Sequence, residues 1–177
     1  MIISILKRMD YLVFYQQLDA MDCGATCLRM IAKHYGKSYT SQTLRQRSYI
    51  TREGVSLLGI SDAAESIGMR TIGVKISFEK LKKENVTPFI AHWRQAHFVV
   101  VYKITKDKVY VADPAKGKIT YSKNEFLKNW ISTKENGEDQ GIALILQPTP
   151  DFYKQADEKA DKTKFRFLFQ YLRPIKK

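Results

Sequence analysis

The stretch QQLDAMDCGATCLRMIAKHYG, residues 16–36, decides how the rest of the chain is read. From Cys23 onward, Ala25, Leu28, Ile31, Ala32 and Tyr35 recur at helical spacing, and Gly36 follows as a C-terminal stop. Cys23 therefore stands at the first turn of an amphipathic helix. The positive end of the helix dipole there favours a thiolate over a thiol. Gln17 lies six positions before it, in the preceding loop. Taken alone, a cysteine opening a helix is more often a small core residue than a nucleophile, and a loop glutamine is usually just solvated. The pairing of the two makes a nucleophile worth testing against the remaining residues.

Working outward, a second helix is expected across SLLGISDAAESIG, with Ser56 as its N-cap and Gly68 as its stop. The texture then changes. RTIGVKI, PFIAHW, HFVVVYKI, KVYVAD, KITY and IALILQ are short and rich in β-branched and aromatic residues, with turn formers between them. SKNEFLKNW reads as a short helix between the last two. Helices first and antiparallel strands second make an α+β domain, with N-terminal helices packed against the sheet.

A chain of 177 residues suffices for one domain with a real core. No run of 18 apolar residues occurs, so no helical membrane span is expected. In MIISILKRMD the basic residues follow the apolar run, the reverse of a secretory signal. The formal net charge of +12 fits either an anionic partner or a well-solvated basic surface. The lysines are spread along the chain without a nucleic-acid-binding motif, so no nucleic-acid partner is expected. Cys23 and Cys27 fall one helical turn apart, poorly aimed for a disulfide, and read as thiols of a reducing compartment. Two cysteines without a second pair make a poor zinc site, and neither a metal nor a cofactor is expected.

A nucleophilic thiolate needs a proton-transfer partner and donors for the oxyanion formed on attack. Gln17 could supply such a donor together with the Cys23 N–H. Three histidines compete as the base. His34 is eleven residues along the same helix, about 16 Å away at 1.5 Å rise per residue, too far for a hydrogen bond. His92 and His97 flank WRQA, read as a hairpin turn, and His97 opens the strand HFVVVYKI. If the next turn is the three residues TKD, Val99 faces Asp113, and His97 is its diagonal neighbour on the same face. An aspartate there can hold the imidazole in its useful tautomer. Asp113 precedes Pro114, so a plain turn aspartate is the competing reading. His92 has no carboxylate at a comparable offset.

The segments QQLDAMDCGATCLRMIAKHYG, HFVVVYKI and VADPAKG together resemble the peptidase family C39 domain of bacterial ABC transporters that mature and export bacteriocins. The resemblance runs from about Val13 to Gln147. It implies a papain-like fold and a cysteine peptidase with Cys23 as nucleophile, His97 as general base and acid, Asp113 as its orienter and Gln17 as oxyanion donor. The substrate it implies is a precursor peptide cut after a Gly-Gly or Gly-Ala leader. It further implies that the domain sits on the cytoplasmic side of the cell membrane, with transmembrane and ATPase domains of the same transporter as partners. ATP belongs to those other domains, since no phosphate-binding GxxxxGK[ST] loop is present here. A leader-binding module without cleavage, or another papain-like acyl transfer or deamidation, is the alternative.

On this reading residues 1–12 are an N-terminal extension, 13–148 the peptidase domain, and 149–177 a linker leading toward a missing transmembrane domain. PTPDFYKQADEKADKTK is polar without a core pattern, a linker or exposed helix. FRFLFQYLRPIKK is aromatic and basic, suited either to packing on the domain or to contact with a membrane surface. The chain is expected to be a fragment of a longer protein.

Overall fold

The computed structural model describes residues 11–49, 54–135 and 137–158. The basic aromatic C-terminal tail and the first ten residues, on which the membrane-contact and extension readings fall, lie outside them.

A 3₁₀ turn, Ala20–Asp22, leads straight into α1, Cys23–His34. The Asp19 side chain caps that turn by accepting from the Met21 N–H at 3.0 Å. Nine of the twelve α1 residues are buried, so this is the central helix of the molecule. It ends as the sequence predicts. Gly36 takes φ +95°, and the N–H groups of Gly36 and Lys37 close back on the carbonyls of Lys33 and Ala32. Two further helices follow: α2, Ser41–Arg47, and α3, Leu57–Ser66, capped by Ser56. The sequence reading did not identify α2, because it is two turns of polar residues with Leu44 as its single buried anchor.

The strands are β1 Met69–Ser77, β2 Phe89–Trp93, β3 His97–Ile104, β4 Lys108–Asp113, β5 Gly117–Ser122, β6 Ile131–Glu135 and β7 Glu138–Pro148. The described strands form one antiparallel sheet in the order β1-β7-β2-β3-β4-β5, with β6 pairing the opening residues of β7. Two short helices, α4 Phe78–Glu84 and α5 Lys123–Trp130, and a last turn, α6 Pro150–Lys154, complete the fold.

The central strands carry near-continuous apolar runs because both sheet faces are covered. On one face Ile90, Phe98, Val100 and Leu144 pack under α1 and α3. On the other, Phe89, Val99, Val101 and Val111 meet Leu81 of α4 and Phe126 and Trp130 of α5. The edge strand β5 is half-exposed throughout and alternates, as a strand at the end of a sheet should.

The β3–β4 connection differs from the expected three-residue turn. Thr105 N–H bonds the Lys108 carbonyl at 2.9 Å, and Ile104 pairs with Val109, leaving a two-residue loop, Lys106-Asp107. A bulge at Tyr102 then restores the register, so Val101 pairs with Val111 and Val100 with Ala112. Continued one step, Val99 stands opposite Asp113. The tighter turn and the extra bulged residue cancel.

The polar segment after Pro148 is not bare linker where it is described. Phe152 of α6 is fully buried in the core beneath α1 and α3.

Candidate active site

Cys23, His97, Asp113 and Gln17 come from four separate places in the chain, and the fold brings them to one end of the sheet. Cys27 Sγ donates to the Phe98 carbonyl at 3.3 Å, which ties α1 to β3. One turn earlier on the same helix, Cys23 is thereby delivered beside His97. Both cysteines are free thiols. Gly24 makes the close approach of α3 feasible: a Cβ there would sit 2.5 Å from Ile60 Cδ1 and from Val55 Cγ1.

His97 Nε2 and Asp113 Oδ1 are 2.9 Å apart. The same carboxylate oxygen accepts from the Ala115 N–H at 2.9 Å. Asp113 is thus a turn aspartate and a histidine partner at once, and it is 2% exposed. Burial alone would disfavour a charged imidazole. The hydrogen bond to Asp113, then the hydrogen bond to Cys23 and the charges of both groups, outweigh it, and the His97 pKa is raised to about 9. Burial likewise pushes the Asp113 carboxyl up, but the bonds from His97 and Ala115 prevail and hold it below the ordinary carboxylate value. With Nε2 on Asp113, Nδ1 is the ring nitrogen left for the thiol.

Gln17 is placed through its backbone, whose N–H bonds the Pro114 carbonyl at 3.0 Å. The Asp113-Pro114 step therefore orients both the histidine and the glutamine loop. Gln17 Oε1 is buried with no hydrogen-bond partner among the described residues. A buried orphan of this kind is rare in a finished fold and common where a ligand completes the bonding.

The other two histidines stand elsewhere. His34 ends the unbroken α1. His92 pairs across the hairpin with Phe98 and stacks on it, ring centroids 5.1 Å apart, and burial lowers its pKa. Sequence reasoning missed the ion pair between Asp22 and Arg45 of α2, 3.2 Å, which anchors the residue just before Cys23. It also missed the clamp on the β2–β3 turn. There the Arg94 N–H and Nε donate to the Asn129 carbonyl and Oδ1, at 2.9 and 2.6 Å. Asp22 was legible as the acid beside Cys23, whereas nothing local linked Arg94 to a residue 35 positions away. Among the described residues no group of three or more His, Cys, Asp or Glu side chains could hold a metal ion.

A papain-like arrangement of a central helix against an antiparallel sheet, with a thiol at the helix start beside a strand histidine, defines a cysteine peptidase. The peptidase C39 family model matches residues 12–138, and the chain belongs to that family. The lactococcin-G-processing and transport ATP-binding protein LagD of Lactococcus lactis subsp. lactis is 37% identical over 154 residues, covering 84% of this chain and 20% of LagD. The colicin V secretion/processing ATP-binding protein CvaB of Escherichia coli is 30% identical over 161 residues, 91% of this chain and 21% of CvaB. The chain spans about a fifth of the length of these curated relatives. Among solved structures, a double-glycine-motif protease from an AMS/PCAT transporter, in complex with the leader peptide, is 32% identical with a TM-score of 0.70, covering 78% of this chain and 93% of that one. The peptidase domain of Streptococcus ComA is 30% identical with a TM-score of 0.65, covering 78% of this chain and 98% of that one.

Proposed function

We propose that this chain is the leader-processing peptidase of an ATP-driven peptide exporter, cutting precursors after a Gly-Gly or Gly-Ala pair at the cytoplasmic face of the membrane. Cys23 Sγ attacks the scissile carbonyl. Its oxyanion is received by the Cys23 N–H and the Gln17 amide, and His97 passes a proton to the leaving amine. Water then opens the thioester with His97 as base, while Asp113 keeps the ring oriented and stabilises its charged form. No cofactor enters these steps; ATP serves the ATPase part of a full-length transporter.

The observation that carries this reading is the His97–Asp113 pair at 2.9 Å with Cys23 beside the same ring. Incubation with a precursor carrying a Gly-Gly leader, followed by mass spectrometry, tests it. Cleavage directly after the pair is expected, and Cys23→Ala should abolish it with folding retained. Uncleaved precursor, or a mass change of one deamidation, would overturn the assignment.

A further inference from the structure

Among the described residues, two separate cavities flank His97. One, about 360 Å³, is lined by Val55, Leu57, His92, Phe98 and their neighbours, and does not include His97. The other, about 310 Å³, is lined by Gln17, Trp93, Arg94, His97, Asp113 and Lys116 among others. Chemistry distinguishes them. When the C–N bond breaks, the acyl part stays on the Cys23 sulfur as a thioester, and the nitrogen takes its proton from His97. The departing chain therefore begins in contact with the His97 ring and occupies the cavity that this ring lines.

Resting on the leader-cleavage reading, we propose that the Gln17–Trp93–Lys116 cavity is the subsite for the first residues of the released chain, and that it selects acidic over basic side chains there.

Its floor is apolar: Trp93 is 4% exposed and packs on Phe126 and Tyr121, centroids 5.4 and 5.5 Å away. Its rim is cationic. Arg94 sits in a turn at φ +49° and is clamped by its two bonds to Asn129, so its guanidinium is held at the rim at little further entropic cost. Lys116 follows the Asp113 turn, its N–H on the Asp113 carbonyl at 3.1 Å, and its charge helps depress the Asp113 carboxyl. Asp113 is the one carboxylate among the lining residues, and His97 and the Ala115 N–H already engage it. An entering carboxylate meets two cations and one anion, the already engaged Asp113, and an entering lysine meets two like charges.

Three leader peptides identical through the Gly-Gly pair, with Glu, Gln or Lys as the second residue after it, test this on the 177-residue chain. The order expected for kcat/KM is Glu over Gln over Lys. The Glu-to-Lys ratio should be about threefold to tenfold at low salt and should shrink at high salt, as for partly exposed charges. The variant Arg94→Glu with Lys116→Glu should invert the order. The ratio is internal to each enzyme, so an overall change in its activity does not affect the reading. If the double variant does not fold, the single variants Arg94→Gln and Lys116→Gln should each flatten the ratio. Equal kcat/KM for the three peptides, or an order unchanged in the variants, would overturn the proposal. Cleavage of none of the three by the unaltered chain would overturn the leader-cleavage reading itself, and this proposal with it.

Discussion

At the scale of single residues, the site depends on how two polar groups are held. Gln17 keeps a buried amide oxygen unpartnered while its backbone is fixed on Pro114. That oxygen is an acceptor and has no part in holding an oxyanion; the donor proposed for that charge is the other end of the amide, its Nε2 hydrogens. Gln17→Ala is therefore expected to lower kcat by about 10²–10³-fold with KM little changed, the loss typical of one oxyanion donor; a normal kcat with a raised KM would make it a substrate-binding residue instead. His97 carries a linkage consequence. Its pKa rises from the ordinary 6.5 to about 9 on folding, so the folded state binds the proton more tightly than the unfolded state. The stability this contributes is complete below pH 6.5 and is lost as pH rises through about 9. Urea unfolding from pH 6 to 10 should show that decline in the parent chain and a flatter curve in His97→Ala. Parallel curves would place the ring's proton outside the folding balance. The positions of Cys23, His97 and Asp113 were legible because each sits beside a local marker: a helix start, a strand start, an Asp-Pro step; the roles proposed for them and for Gln17 came from the family resemblance. The Asp22–Arg45 pair was not legible, since a surface arginine on an unrecognised helix gives no sign of its partner.

At the scale of elements, the placement of Cys23 depends on α1 being buried along most of its length, nine of its twelve residues. The sequence marked its start, its apolar face and its glycine stop, and the structure has all three. What could not be read was how closely α3 approaches its first turn. Gly24 looks like a poor helix former beside a nucleophile, yet a methyl group there would press on Ile60 and Val55 at 2.5 Å. Gly24→Ala improves helix propensity by about 1 kcal/mol but overpacks a rigid contact, which typically costs about 1–3 kcal/mol. The expected net result is a lower urea midpoint together with reduced kcat, because the overlap with Ile60 and Val55 falls on the residue next to Cys23 and pushes on its turn. A stabilised, fully active variant would show that the side chains yield instead. The hairpin of β3 and β4 shows a different limit of pattern reading. Counting outward from an assumed three-residue turn put His97 and Asp113 on one face. It could not distinguish a three-residue turn from a two-residue turn plus a bulge, since both give the same register at the site.

At the scale of the whole molecule, the sheet separates two cores, and the segment after β7 closes one of them. No helix among the described residues is long and apolar enough to cross a membrane. The polar composition of residues 149–158 concealed a structural task assigned to one side chain. Phe152 is completely buried, and its approach is permitted by Gly68, where φ is +83° and a Cβ would meet the Phe152 nitrogen at 2.5 Å. Thr149 secures the same junction through its N–H and hydroxyl, both on the Gly68 carbonyl, at 3.2 and 2.6 Å. Further on, the Asp157 carboxylate accepts from the Ser38 N–H, and the Glu158 N–H bonds the Ser38 carbonyl, each at 2.9 Å. The segment thus fastens the α3–β1 junction to the loop after α1, at the opposite end of α1 from Cys23. Truncating a buried phenylalanine costs about 3–5 kcal/mol, so Phe152→Ala should lower the urea midpoint sharply. Under conditions where the variant remains folded, kcat on a leader peptide should stay within about twofold of the parent, because Cys23 lies at the other end of the twelve-residue α1. A large fall in kcat at unchanged stability would mean that this end of the molecule communicates with the site, and that the segment does more than close the core.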